Sequence, residues 1–489
     1  MAARLPLLRK TPFVLDGRPL LEATSPHAGA LSISRVFRSL GLPQLIGANL
    51  QLRKRQRGFE EAQLAESICL LQAVGGECPE DMRLLIGDEC LERGLGYEVP
   101  SVTAVREFLE RFHDQDLEKL RPKREDQKSF IFPPSGPVAA LQEVQSGLVR
   151  RIAKLYEKQG QAQKTATVDQ DATIIESHKQ AAYWHYEEGR GYQPMVAVWA
   201  ETDLVLADEF RDGNVPAKQD PLTCAKLAFG ALPENIQKRY FRGDSACHEN
   251  GLLDWLKHPD RAAEPGGEII FAVSAVMSPP LAQALRKVKE PDWKTFGKEG
   301  DGTLRQWAEV EFVPGDKSEH KDSQPLRYVG LRLLKAQGML FKDGTDRHFH
   351  ALITNERKLD GGRLLDWHRE KAGTVEHTHD EVKNELGGGH VPSQRFGVNS
   401  AWFKIALLTY NIVSALKGLC LEGEERTARL KRFRLLVIHV AGRMNRNNCV
   451  MGLRLCNNAD ALKRMQRVWR VFELPTQATA AKPLGRRGG

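Results

Sequence analysis

The hydrophobic period changes abruptly at residue 166, and that change restricts the fold more than any other feature of the chain. Residues 166–175 (ATVDQDATII) alternate and are rich in β-branched side chains, which predicts a strand. Residues 193–200 and 204–210 predict two more strands, with Glu201, Thr202 and Asp203 between them at hairpin length. Helical patterns at 221–231 and 233–238 lead into a short strand at 240–244. A helix at 250–257 leads into a further strand at 268–274. The order β-β-β-α-β-α-β predicts an antiparallel meander followed by parallel crossovers, a mixed α/β sheet in the order of the ribonuclease H-like fold.

The flanking segments read differently. Residues 1 to about 30 read as an irregular or weakly paired arm, and residues 32–112 are helical in pattern. Ile33, Val36 and Leu40 recur at helical spacing, and Leu64, Ile68 and Leu71 share a face. Pro100 and Ser101 open a helix through residue 112, with Val102, Val105, Phe108 and Leu109 inward and Arg106 and Arg111 outward. Such a segment suits either a helix-turn-helix-type DNA reader or an ordinary helical bundle. Residues 115–136, charged and then Pro-rich, read as a linker, and a helix follows at 138–159. Strands at 308–313, 327–334 and 349–354 interrupt the α/β pattern, and helices resume at 374–386, 401–416 and 460–470. The expected division is a helical N-terminal DNA-binding region with linker (1–136), a first core part (137–276), an inserted β subdomain (277–360), a second core part (361–420) and a basic helical C-terminal region (421–489).

Composition narrows the function classes. A chain of 489 residues, 41% hydrophobic, buries a real core, which excludes wholesale disorder. The formal net charge of +8 is concentrated: residues 421–489 hold 15 Lys and Arg against 5 Asp and Glu. A concentrated basic end points to a polyanion. No run of about 18 uninterrupted apolar residues predicts a membrane span, and no secretory signal pattern is expected. The eight cysteines form no CxxC pair, so free thiols in a reducing cytoplasm are expected.

Three acidic residues stand out by context. Asp171 lies on the first predicted strand, Asp244 ends the fourth, and Glu376 lies in the first turn of a helix. Phosphodiester cleavage or transfer needs an activated oxygen nucleophile and a stabilised leaving oxygen, and two divalent cations about 4 Å apart supply both. Mg²⁺ is hard and prefers carboxylate oxygens. Asp169, two residues before Asp171, shares its sheet face and remains a second candidate ligand. On the helix, Glu376, His379, Asp380 and Lys383 fall within about 100° of one another, beside an apolar stripe of Val375, Val382 and Leu386. Glu381 and Glu385 are expected on the opposite side. His377, His379 and Asp380 read either as a metal site or as a polar helix face.

The segments TVDQDATIIESHKQAAYWHYEEGRGYQPMVAVWAET, FRGDSACHENGLLDWL and HREKAGTVEHTHDEVKNELGGGHVPSQRFGVNSAWFKIALLTYNI resemble those of bacterial insertion-sequence transposases of the DDE type, group one. The resemblance covers about residues 30–470. It implies a ribonuclease H-like catalytic core with a β insertion, Mg²⁺-dependent cleavage (Mn²⁺ as substitute), and transfer of the 3′-OH strand into target DNA. Asp171, Asp244 and Glu376 are implied as catalytic and metal-binding. Related transposases carry a Tyr-x2-Arg-x3-Glu-x6-Lys signature; Glu376 and Lys383 match its second half, while Arg369 or Lys371 replaces its Arg. A hairpin intermediate, terminal inverted repeats as substrate and a homodimer in the synaptic complex are also implied, with a bacterial, nucleoid-associated location.

Expected DNA contacts are Arg242, Arg369, Lys371, Lys383, Lys431, Arg432 and Arg434, with Arg443 and Arg446. Trp293 and Trp307 read as base-stacking residues or as core of the inserted segment. Two alternatives share these residues: a catalytically inactive DNA-binding protein derived from such an enzyme, and a metal-dependent nuclease without strand transfer.

Overall fold

The computed structural model describes residues 22–53, 58–126, 128–315, 325–447 and 450–474. Nine strands form one mixed sheet: β1 (Thr165–Ala172), β2 (Met195–Trp199), β3 (Leu204–Glu209), β4 (Lys238–Gly243), β5 (Ile269–Ser274), β6 (Lys294–Lys298), β7 (Leu304–Val310), β8 (Arg327–Leu334) and β9 (Arg347–Thr354). Their spatial order is β6-β7-β8-β9-β5-β4-β1-β2-β3. The β1–β4 and β4–β5 pairs are parallel and every other neighbouring pair is antiparallel. The meander and the two crossovers therefore have the expected strand directions. The segment 233–238 differs: it forms no helix, and Lys238 already belongs to β4.

The inserted segment does not stand apart from this sheet. Strand β9 pairs with β5 through Thr354↔Ala272, Ile353↔Val273 and Leu352↔Ser274, so β6–β9 extend the sheet from what would be its open edge. A pairing partner removes the exposed row of N–H and C=O groups that an edge strand presents. Trp307, Val329, Leu352, Leu364 and Leu365 form a small apolar cluster under this extension. Strand β6 (KTFGK) escaped sequence reading because it is charged, holds a glycine and is mostly exposed.

Helices cover the sheet and share its core. The longest, α12 (Phe396–Cys420), packs against β3 and against helices from both ends of the chain. These include α1 (Leu31–Ser39), α3 (Glu61–Val74), α5 (Val102–Glu110), α6 (Gly136–Lys158) and α13 (Ala459–Val471). Helix α12 is apolar and long enough to cross a membrane, yet 89% of its most apolar window is buried inside the protein. One continuous apolar cluster runs from Ala30 to Phe472. In α5, Ser101 caps the first turn by accepting from the Ala104 amide, and Val105, Phe108 and Leu109 are buried as expected. Arg106 on its outer face pairs with Glu80.

Two expectations about the flanks differ from the structure. Residues 115–136 are docked rather than loose: Phe132 packs on Phe396 with ring centroids 4.5 Å apart, and Arg121 is buried in an ion pair with Asp212. The C-terminal region is not wholly helical. It contains a hairpin of β10 (Gly442–Asn447) and β11 (Val450–Leu455), to which the two-residue strand Thr24–Ser25 adds through Thr24↔Arg443 and Ser25↔Gly442.

Candidate active site

Sheet register brings the two aspartates together. Gln170 of β1 pairs with Gly243 of β4, so Asp171 and Asp244 lie one step beyond that pair, at the carboxyl ends of neighbouring parallel strands. Neighbouring strands are about 4.8 Å apart, and the carboxyl ends of parallel strands are where open α/β sheets place ligands. Asp244 also begins a short 3₁₀ turn, accepting from the Ala246 amide at 2.9 Å. Burial pushes the Asp171 carboxyl up to about 6, and the Asp244 and Glu376 charges add to the rise while Lys371 opposes it.

Glu376 comes from α11 (Val375–Glu385), whose Val375, Val382 and neighbouring Leu386 are buried against the sheet side. It sits in the first turn, where the helix dipole favours a carboxylate. Lys371, in the turn just before α11, places its ammonium nitrogen 3.3 Å from Glu376 Oε1. Burial alone would lower the Lys371 pKa; Asp171, Glu376 and Asp244 outweigh that and hold it above the ordinary lysine value. Three carboxylates from three distant parts of the chain thus act on one ammonium, which pairs directly with Glu376.

Asp169 has a different task. It is fully buried and takes a two-pronged grip from Arg242, with Nε to Oδ1 at 2.6 Å and Nη2 to Oδ2 at 2.8 Å. Thr374 Oγ1 also donates to it. Arg242 Nη1 reaches on to the Trp367 carbonyl at 2.5 Å and to Glu370 at 3.0 Å. The pair therefore ties β1 and β4 to the turn that delivers Lys371 and Glu376. This corrects two expectations: the Asp169 oxygens are already engaged, and Arg242, 2% exposed, is a buried positioning residue rather than a phosphate contact.

The remaining basic candidates divide. Arg434 is buried, donating to the backbone carbonyls of Ala73 (2.8 Å) and Gln72 (3.0 Å), which removes it from the DNA contacts. Arg369 pairs with Glu299 at 2.7 Å, whereas Lys371 is the basic residue that pairs with Glu376. Lys383 donates to the Ile174 carbonyl at 3.1 Å, just beyond β1. Lys431 and Arg432 are exposed. Arg446 is exposed, and Arg443 pairs with Glu22.

On α11, Glu381 and Glu385 do not face solvent. They are buried and accept from the Leu430 amide (2.8 Å) and the Lys431 amide (2.7 Å), so the C-terminal segment covers that side. His379 is buried and hydrogen-bonded to the Asp171 backbone; burial, with Lys383 and Lys371, pushes its pKa down to about 3 and keeps it neutral. Asp380 pairs with Arg429. Among the described residues, His377, His379 and Asp380 are not gathered as a group that could hold a metal ion.

Two open grooves meet at Asp244. One, about 750 Å³, is lined by Asp244, Lys371, Glu376, Arg305 and His350. The other, about 710 Å³, is lined by Asp171, Asp244, Trp184, His185 and Tyr186. The last three belong to a small flap of short strands between β1 and β2, and Trp184 and Tyr186 are 47% and 73% exposed. Sequence reasoning assigned the flap no role, although the run Tyr183-Trp184-His185-Tyr186 was a visible aromatic signal. Trp293 and Trp307 are instead buried, at 7% and 6% exposure, as core of the inserted segment.

The donor set fits a divalent cation in kind. It is all carboxylate, and added positive charge opposes the burial and neighbouring charges that raise Asp171. Among the described residues no three His, Cys, Asp or Glu side chains are gathered as a ready-made cage; the positive charge among the three acids is Lys371.

The family model for the transposase DDE domain, group 1, matches residues 21–475. No curated protein matches the chain. Among solved structures, the cryo-EM structure of the piggyBac transposase synaptic complex with hairpin DNA aligns over 93% of this chain and 86% of that one, at 10% identity and a TM-score of 0.39.

Proposed function

Because the chain belongs to the group 1 DDE-domain transposases, we propose that it cleaves the ends of a mobile DNA element and transfers the 3′-OH strand into target DNA, with Asp171, Asp244 and Glu376 as the ligands of Mg²⁺. The observation that carries this reading is the convergence of the three carboxylates: two on adjacent rungs of β4 and β1, the third delivered by α11 through the Lys371 turn. The order β3-β2-β1-β4-β5 supports a ribonuclease H-like core, extended by β6–β9.

Asp171, Asp244 and Glu376 would hold two Mg²⁺ ions, which would supply Lewis-acid stabilisation of the attacking and leaving oxygens. The chain's own residues do the rest. Asp171 and Asp244 are held by the sheet, so their oxygens need little rearrangement. Glu376 is set at the helix N-terminus by the packing of Val375, Val382 and Leu386. The Asp169–Arg242 pair fixes the turn just before α11. Lys371 and Lys383 offer ammonium groups to the phosphates on either side of the scissile bond. Lys431 and Arg432 bind the DNA backbone at a distance, and joining two ends requires a second protomer. The flap and the groove under Arg305 and His350 bound the path of the strand.

The test is incubation of the protein with candidate terminal-repeat DNA and Mg²⁺. Nicked, hairpin and joined products separate on a denaturing gel. Wild-type protein yields joined product; D171A, D244A and E376A each lose cleavage by at least about 10³-fold while retaining DNA binding. Cleavage that persists in D244A rejects the assignment.

A further inference from the structure

We propose that Lys371 is a resident counter-ion of the DNA-free site, holding the place of positive charge among Asp171, Asp244 and Glu376 until a divalent cation displaces it. The inference rests on the reading of those three residues as cation ligands. It adds that cation binding and the position of one lysine are mutually exclusive.

The geometry supports this in three ways. Lys371 Nζ lies 3.3 Å from Glu376 Oε1, and its side chain is only 12% exposed against 52% for Glu376. The lysine is thus tucked beneath the carboxylate rather than reaching out to solvent. Its turn is anchored independently of the acids: Thr374 Oγ1 donates both to the Lys371 carbonyl at 3.0 Å and to Asp169, and Arg242 holds Glu370. The backbone at Lys371 is therefore fixed, while the four-carbon stem keeps its rotatable bonds. Finally, Lys371 lines the groove that opens from Asp244 and Glu376, so the ammonium has somewhere to go. A phosphodiester entering that groove offers it a replacement partner.

Lysine suits such a post better than arginine. Its ammonium is a compact point charge on a flexible stem, whereas a guanidinium would grip two carboxylates in a fixed fork. Arg369, two residues earlier, is committed to Glu299 and does not compete for the position. Displacement also links two binding events. DNA that draws Lys371 onto a phosphate leaves the acids short of positive charge and raises their cation affinity, and by reciprocity the cation raises DNA affinity by the same factor. An enzyme that cuts chromosomes is thereby kept cation-poor until DNA is present.

The test is calorimetric titration of Mn²⁺ into full-length, DNA-free protein, comparing wild type with K371M, K371Q and D171N. K371M and K371Q keep the stem but remove the charge, and both are expected to bind Mn²⁺ at least tenfold more tightly than wild type. Thermal unfolding gives a second readout: without Mn²⁺ both variants melt below wild type, and on adding it they gain more. D171N is expected to lose the binding. Equal or weaker Mn²⁺ affinity in K371M and K371Q, with binding lost in D171N, overturns the counter-ion role and leaves the carboxylate assignment standing. Unchanged binding in D171N overturns the carboxylate assignment itself, and this inference with it.

Discussion

Asp169 and Asp171 sit two residues apart on one strand and face the same way, yet the fold uses them oppositely. Asp169 is sealed with Arg242, and removing one partner of such a pair leaves a buried charge uncompensated. D169A should therefore destabilise the protein by about 3–5 kcal/mol in urea unfolding. Asp171 is the reverse case. Its pKa is about 6 against an ordinary 3.8, so the folded protein binds this proton more readily than the unfolded chain does. Its contribution to stability is full below about pH 4 and is lost as the pH rises through 6. D171N removes the strain and should stabilise the cation-free protein by about 1–2 kcal/mol at pH 7. His368 and His379, held neutral by burial with pKa values near 4 and 3, contribute in the opposite sense as the pH falls, so the comparison with D171N isolates the aspartate. For catalysis the sign is simple: the proton competes with the cation, and cleavage should fall as the pH drops below about 6. A pH–rate profile that stays flat from 7 to 5 contradicts this. The choice between the two aspartates was not legible in the sequence, because the deciding partner, Arg242, lies 73 residues away from Asp169.

At the scale of elements, α11 is the part on which the site depends. Its apolar stripe of Val375, Val382 and Leu386 was legible from periodicity, and all three are buried. Its other side was not. Glu381 and Glu385 read only as lying opposite Glu376, and the structure adds that they accept from the amides of Leu430 and Lys431. Periodicity reports one buried face; it does not report a second layer supplied by a segment about 45 residues later. Gly387, two residues past the end of the helix, takes φ +67°, and a Cβ there would meet Glu77 Cα at 2.9 Å. G387A should cost about 1–2 kcal/mol or more from backbone conformation alone. It should also lower cleavage more than DNA binding, because it disturbs the element that carries Glu376; parallel loss of both would argue against that role. Strand β6 and the C-terminal hairpin were missed for a simpler reason: short, charged, half-exposed strands carry little period-2 hydrophobic signal.

For the molecule as a whole, sequence reading found the central strands and both crossovers, because β1 alternates with β-branched residues and β5 is a short apolar run. It did not foresee that the flanking parts would share one core. Helix α12 packs on α3 and α5 as well as on β3, which joins the N-terminal helices to the sheet. Chain-wide charge is also only partly legible. Of the C-terminal cations, Arg434 is consumed by backbone carbonyls, whereas Lys431 and Arg432 remain exposed. DNA binding should be steeply salt-dependent, and K431A/R432A should flatten the slope of log K against log salt by about 2. An unchanged slope in that double variant would remove this surface from the DNA path. The claim beneath all of these is that three distant carboxylates close on divalent metal. Anomalous diffraction from crystals grown with terminal-repeat DNA and Mn²⁺ tests it most directly. The account predicts a manganese peak bounded by Asp171, Asp244 and Glu376, with Lys371 moved onto a phosphate; manganese bound elsewhere, with these three side chains still around Lys371, would contradict it.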